Sequence, residues 1–91
     1  MTTTEHRWEI HQTRQVERVL RRLPKDHLKR IDRAILALAE NPRPPGCRKL
    51  RGYDSIYRIR VGDWRISYSV EDDRLIVLVI EVAPRGEAHR F

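Results

Sequence analysis

The sequence predicts an α+β fold in the order β-α-α-β-β-β: an antiparallel sheet covered on one face by a helical hairpin, with a short C-terminal tail. Three observations carry this reading. Two apolar stripes of helical period occupy the first half, and apolar–polar alternation of period two occupies the second. Between them lies a stiff connector, Pro42, Pro44, Pro45 and Gly46, too short to link separate domains. At 91 residues the chain has length for one modest core, so residues 1–91 read as a single domain.

Residues 7–11 (Arg7, Trp8, Glu9, Ile10, His11) alternate apolar and polar, as a first strand does. Thr13 stands where its hydroxyl can accept from the free amides of a following helical turn. Val16, Val19, Leu20 and Leu23 then fall at i, i+3, i+4 and i+7, one stripe of a helix. Pro24 breaks that helix and suits the first position of the next, where its missing amide would be unpaired anyway. Leu28, Ile31, Ile35 and Leu38 form the second stripe, Ala34, Ala37 and Ala39 add helix propensity, and Asn41-Pro42 ends it. Two short-linked amphipathic helices read as an antiparallel hairpin, which needs the later strands to bury its stripes.

From Ser55 to Ala83 the period is two. Gly62-Asp63 is a two-residue hairpin turn of the Gly-X type, and a tight turn fixes register. Val61 then faces Trp64, Arg60 faces Arg65, Ile59 faces Ile66 and Arg58 faces Ser67. Glu71, Asp72, Asp73 and Arg74 make the next turn, and Leu75 to Ile80 is a continuous apolar run, as in a strand buried on both faces. Continuing the register places Arg65 near Ile80. The docking position of the first strand is not written in the pattern.

This register sorts side chains by chemistry. One face of the hairpin carries Tyr57, Ile59, Val61, Trp64, Ile66 and Tyr68, the predicted core. The other carries Arg58, Arg60, Arg65, Ser67 and Ser69, with no acid on that face of these two strands. Like charges directly opposite one another destabilise a sheet, so the Arg60–Arg65 pair asks for an anion. An ordinary solvated face with snorkelling arginines is the alternative; the opposed pair and the small serines beside it favour phosphate.

Composition agrees in sign. Nineteen Lys and Arg against thirteen Asp and Glu give a net charge of +6, a field that favours polyanions. Only Lys25, Lys29 and Lys49 are lysines, and the arginine fork suits bidentate phosphate contact. Composition alone does not separate this from the arginine bias of a GC-rich genome. A mean hydropathy of −0.67 and the lack of an apolar run near twenty residues exclude a helical membrane span. The amino end lacks a signal-peptide pattern and Cys47 is the lone cysteine, so a cytoplasmic protein without membrane contact is expected. His6, His11, His27 and His89 with Cys47 lack the close pairing of a zinc site, and no glycine-rich phosphate loop occurs. No metal and no cofactor are expected. Glu81, in the apolar last strand, reads as lying at its end or paired with a nearby arginine. In the tail, Arg85 and His89 lie four apart, on one side of a helical turn.

Several segments together resemble the RelE/ParE superfamily of bacterial and archaeal toxins, the RelE branch in particular. They are the helical hairpin ending at Glu40-Asn41-Pro42; Lys49-Leu50-Arg51-Gly52; the run from Tyr57 to Tyr68; Val79 to Arg85; and the closing R-x-x-x-H-R. The resemblance spans essentially the whole chain. It implies the toxin of a type II toxin–antitoxin module: a metal-independent, ribosome-dependent endoribonuclease that cuts A-site mRNA by 2′-hydroxyl attack and inhibits translation. By position it implies catalytic roles for Arg58, Arg65, Arg85 and His89, and RNA or ribosome contact for Lys49, Arg51, Arg60 and Arg90. His89 stands where many relatives have a tyrosine, and Phe91 is a second candidate for stacking. The implied partners are a cognate RelB-like antitoxin, the ribosome and mRNA. The alternatives are a ParE-like inhibitor of DNA gyrase and a catalytically attenuated RNA-binding homologue.

Overall fold

The structure, a computed structural model, describes residues 8–88; Arg7, His89, Arg90 and Phe91 lie outside them. The elements are β1 (Glu9–Gln12), α1 (Arg14–Arg21), α2 (Lys25–Ala37), β2 (Arg48–Lys49), β3 (Ile56–Val61), β4 (Trp64–Glu71) and β5 (Ile76–Pro84). The strands form one sheet in the order β1-β5-β4-β3-β2. It is mixed, because β1 docks parallel to β5 while the remaining pairs are antiparallel. The short strand β2 was not expected from the sequence: two residues are too few for periodicity to register.

The local signals behave as their chemistry requires. Thr13 Oγ1 accepts from the Val16 amide at 3.2 Å and caps α1. Pro24 is the N-cap residue of α2, one position earlier than expected, with extended ψ of 151°. The α-helix itself ends at Ala37. Tighter i→i−3 bonds carry the chain through Leu38, Ala39 and Glu40 before Asn41 and Pro42 leave it. Gly62 takes φ +59° in the hairpin turn, as the Gly-X pairing demands.

The core lies between the helices and one face of the sheet. Val16 and Leu20 of α1 and Ile31 and Ile35 of α2 join Ile59, Ile66, Tyr68, Val70, Val77, Val79 and Val82 in one buried cluster. Tyr57, Val61 and Trp64 pack against it half-buried, so the predicted core face of the hairpin is the observed one. α1 packs on β5 and α2 against β3.

Two expectations about β5 are corrected. The strand is not buried on both faces: Val77 and Val79 are fully buried while Ile76 and Leu78 are half-exposed, and Leu75 lies outside it at φ +54°. Arg65 pairs with Ala83 rather than Ile80. The turn uses Asp72 to Leu75 in full, and the register then slips once more, because Ile80 has no partner between the Tyr68–Val79 and Ser67–Glu81 pairs. This bulge changes the phase of the strand. Val79 and Val82 both face the helices, and Glu81 is turned to the open face beside Ser67.

Side-chain bonds tie the connector down. Arg43 donates to both carboxylate oxygens of Asp72, at 3.2 and 2.8 Å, and through Nε to the Tyr57 hydroxyl at 3.0 Å. The fully buried Tyr68 hydroxyl donates to the Pro42 carbonyl at 2.8 Å. Burial, with a further contribution from Cys47, pushes the Tyr68 phenol well above its ordinary range. Cys47 is thus a packing residue, half-buried against the core.

Tyr68→Phe leaves a buried carbonyl unpaired and is expected to cost about 1–3 kcal/mol in urea unfolding. Because the unfolded phenol loses its proton first, native stability is fully present below about pH 10 and declines as pH rises above it. Stability of Tyr68→Phe should lack that component of the alkaline decline; an identical pH profile in both proteins would refute the assignment.

Candidate nucleic-acid interface

The open face of the sheet is where the expected arginines meet. The observed β3–β4 register is the predicted one, with Arg60 opposite Arg65 and Arg58 opposite Ser67. On the other side of β3, the edge strand β2 sets Arg48 opposite Arg58. Residues paired across strands share a face. Arg48, Arg58, Arg60 and Arg65 accordingly line one concavity of about 270 Å³, with Gly46 and Leu50 at its rim. A larger groove of about 520 Å³ between α1 and the end of β5 has Val19, Leu23, Trp64 and Pro84 in its walls and none of these four arginines. Its charged lining is mixed, Arg18 and Arg22 with Glu81 and Glu87.

The four arginines are not equivalent. Arg58 is half-buried and held in place. Its Nε donates to Ser67 Oγ at 2.9 Å, and its Nη2 lies 3.5 Å from Glu81 Oε1. Ser67 Oγ in turn donates to Glu81 Oε1 at 3.5 Å. Ser67, expected on an exposed face, is fully buried under this network. The expectation of a face without acid holds for β3 but not for β4, whose last residue, Glu71, lies on the open face at the far end and pairs with Arg74; the acid beside the arginines arrives from β5, and Glu81 is paired with an arginine as the sequence suggested. For Arg48, Arg60 and Arg65, no carboxylate lies within ion-pair distance among the described residues.

Arg65 shows the strain of this arrangement. Desolvation first, then repulsion from Arg60, Arg85 and Arg58, pulls its guanidinium below the usual arginine range, with Asp63 acting the other way. The same repulsions place Arg85 in the cluster's field, and the Arg85 amide donates to the Asp63 carbonyl at 2.6 Å, which fixes the start of the tail against the β3–β4 turn. From the far side, the Trp64 indole donates to His27 Nδ1 at 3.3 Å, anchoring the same turn to α2. His27, read from the sequence as part of a charged helix face, is half-buried in that contact.

The structure therefore gathers Arg58, Arg60, Arg65 and Arg85. Lys49 is exposed but pairs with Tyr57, which puts it on the helix side of the sheet, and Arg51 is exposed in the turn that follows β2. His89 and Arg90 lie outside the described residues. Sequence reasoning missed Arg48. Its signal was present in the run Arg48-Lys49-Leu50-Arg51, but choosing between neighbours needs the strand phase that pairing with β3 supplies. No group of three His, Cys, Asp or Glu side chains converges on a metal-sized site among the described residues.

Removing one of two opposed like charges should relieve the sheet. Arg60→Gln is expected to stabilise the fold by about 0.2–1 kcal/mol at low ionic strength, with the gain shrinking as salt screens the pair. Urea unfolding at low and high salt checks this; a variant less stable at low salt would show that the arginines do not repel.

Comparison with known proteins agrees with this architecture. The family model for the ParE toxin of the type II toxin–antitoxin system parDE matches residues 10–89. The RelE1 protein of Methanocaldococcus jannaschii is 33% identical over 85 residues, covering 90% of this chain and 92% of its own. Among solved structures, a chain of the archaeal RelE–RelB complex from Pyrococcus horikoshii matches with a TM-score of 0.80 at 31% identity, covering 90% of this chain and 99% of that one. The isolated E. coli RelE toxin shares the fold, with a TM-score of 0.77 at 23% identity over 90% of this chain and 88% of its own. With both helices and the sheet within the matched region, the chain belongs to the RelE/ParE superfamily, as a RelE-like toxin of a type II toxin–antitoxin module.

Proposed function

We propose that this toxin is a ribosome-dependent, metal-independent mRNA endoribonuclease. The observation that carries the proposal is the concave face on which Arg60 and Arg65 stand opposed without a carboxylate partner among the described residues, beside an Arg58 held by Ser67 and Glu81. In the reaction the RNA 2′-oxygen attacks the adjacent phosphorus and the P–O5′ bond breaks, leaving a 2′,3′-cyclic phosphate and a 5′-hydroxyl. Negative charge builds on the phosphorane oxygens, and preorganised positive groups in a partly dehydrated site stabilise it. Arg58, Arg65 and Arg85 serve that purpose. A base must take the 2′ proton and an acid must protonate the leaving 5′-oxygen. Arginine hardly deprotonates, so His89 is the residue proposed for proton transfer. Lys49, Arg51, Arg60 and Arg90 are assigned to RNA and ribosome contact.

A RelB-type antitoxin is the proposed partner, since solved relatives from Pyrococcus horikoshii and E. coli are complexes with RelB. A second reading, inhibition of DNA gyrase, is favoured by the match to the ParE family model. Arg58, Arg65 and Arg85 together support the nuclease over it.

The test is cleavage of a defined message programmed into the ribosomal A site, with 5′ ends mapped. Codon-phased cuts are expected, slowed about 10²–10³-fold in Arg65→Ala and Arg85→Ala, the scale for loss of one charge-stabilising donor. In His89→Ala the inflection of the pH–rate profile that a histidine contributes should disappear; an unchanged pH profile would assign the tail a contact and not a proton. Absence of cuts by folded protein, together with loss of supercoiling in a gyrase assay, would replace the nuclease with the gyrase reading.

A further inference from the structure

We propose that the arginine face takes two consecutive phosphates of one RNA strand, the first at Arg60 and Arg65 and the second at Arg48. This rests on single-stranded RNA being the substrate class, and it assigns Arg48 a part in binding that the sequence motifs did not indicate.

Charge comes first. Four arginines line a concavity of about 270 Å³ and one carboxylate, Glu81, pairs with one of them, leaving three positive charges around it. One phosphodiester carries a single negative charge and leaves most of that uncompensated. The uncompensated charge also has a shape. Arg58, with Ser67 and Glu81 on its guanidinium and 18% of its side chain exposed, sits in the middle. Arg48 lies directly across from it on the edge strand, while Arg60 lies two residues along β3 with Arg65 opposite. Diagonal neighbours in a sheet are about 7–8 Å apart, and strands two removed are about 10 Å apart. Positive charge thus stands at two poles on either side of an arginine that Glu81 already pairs.

The edge is also open. Gly46, at the rim beside Arg48, has φ +89°, and a side-chain carbon added there would meet nothing within 4 Å. β2 is the edge strand, so among the described residues no further strand covers Arg48. Arg48 reaches no other catalytic group in this arrangement, so it is a binding residue for the second phosphate, and its loss should raise KM and leave kcat unchanged.

The experiment titrates the full-length protein with ApA, which has one bridging phosphate, and ApApA, which has two, following binding by NMR shift perturbation over a range of salt. Wild type is expected to bind ApApA more tightly, with a salt slope steeper by about 0.7 for the added phosphate. Arg48→Gln should abolish the ApApA advantage and the extra slope while leaving ApA binding intact. Arg48→Lys should restore much of the slope, and Arg14→Gln on α1, away from this face, should change neither. Equal weakening of ApA and ApApA in Arg48→Gln would overturn the two-site arrangement, as would a wild type that does not distinguish the probes. The ribosome assay separates this from the nuclease reading. Cuts with an unchanged KM in Arg48→Gln would sink the second phosphate site alone. Absence of cuts with the expected probe behaviour would leave the two-phosphate site standing without the nuclease.

Discussion

The unpaired Ile80 in β5 decides which charges share the open face of this protein. Before it, the odd-numbered valines Val77 and Val79 point into the core; after it, Val82 does. Unbroken alternation would have sent Glu81 under the helices, where an ionised carboxylate without a partner is very costly. With one extra residue it lies instead beside Ser67 and within reach of Arg58. The same slip sets each later residue of β5 one place back along β4, so that Ala83 instead of Val82 meets Arg65, and the chain leaves the sheet with the Arg85 amide bonded to the β3–β4 turn. Core packing and the assembly of the basic face are two results of one bulge.

The face so built is electrostatically unfavourable by itself. Arg60 opposes Arg65, and Arg65 is partly stripped of water while three other arginines repel it. A fold tolerates this where the rest of the structure determines the geometry. Here the Trp64–His27 bond holds the turn from behind, and Ile59, Ile66 and Tyr68 bury the reverse side of the same strands. Glu81 relieves one arginine, while Arg48, Arg60 and Arg65 have no carboxylate within ion-pair distance among the described residues. That partial relief distinguishes Arg58, held in place by a hydroxyl and a carboxylate, from the other arginines of the face.

The Arg43–Asp72 pair illustrates the other use of arginine in this chain. It is bidentate and exposed, and its side chain also covers the Tyr57 ring at 5.1 Å. Exposed pairs of this kind contribute little individually. Its position matters more than its energy, because it fastens the proline-rich connector to the turn before β5. With Tyr68 bonded to Pro42, the chain is held on its way to β2. The placement of Arg48 on the basic face depends on that route.

Local chemistry made much of this legible in advance. The Thr13 cap, the two helical stripes, the Gly62-Asp63 turn and the pairing of Arg58, Arg60 and Arg65 across β3 and β4 all follow from interactions within a few residues or across a two-residue turn. The sequence by itself therefore determined the element order, the core face of the hairpin and three arginines of the site. What it could not determine were contacts whose position depends on distant chain. The parallel docking of β1 on β5, the existence of β2, the phase that selects Arg48 over Lys49, and the bulge that delivers Glu81 were decided by tertiary structure. A tight turn transmits register from one strand to the next, whereas a long connection or a bulge does not, so those choices fall to the global packing of helices on the sheet.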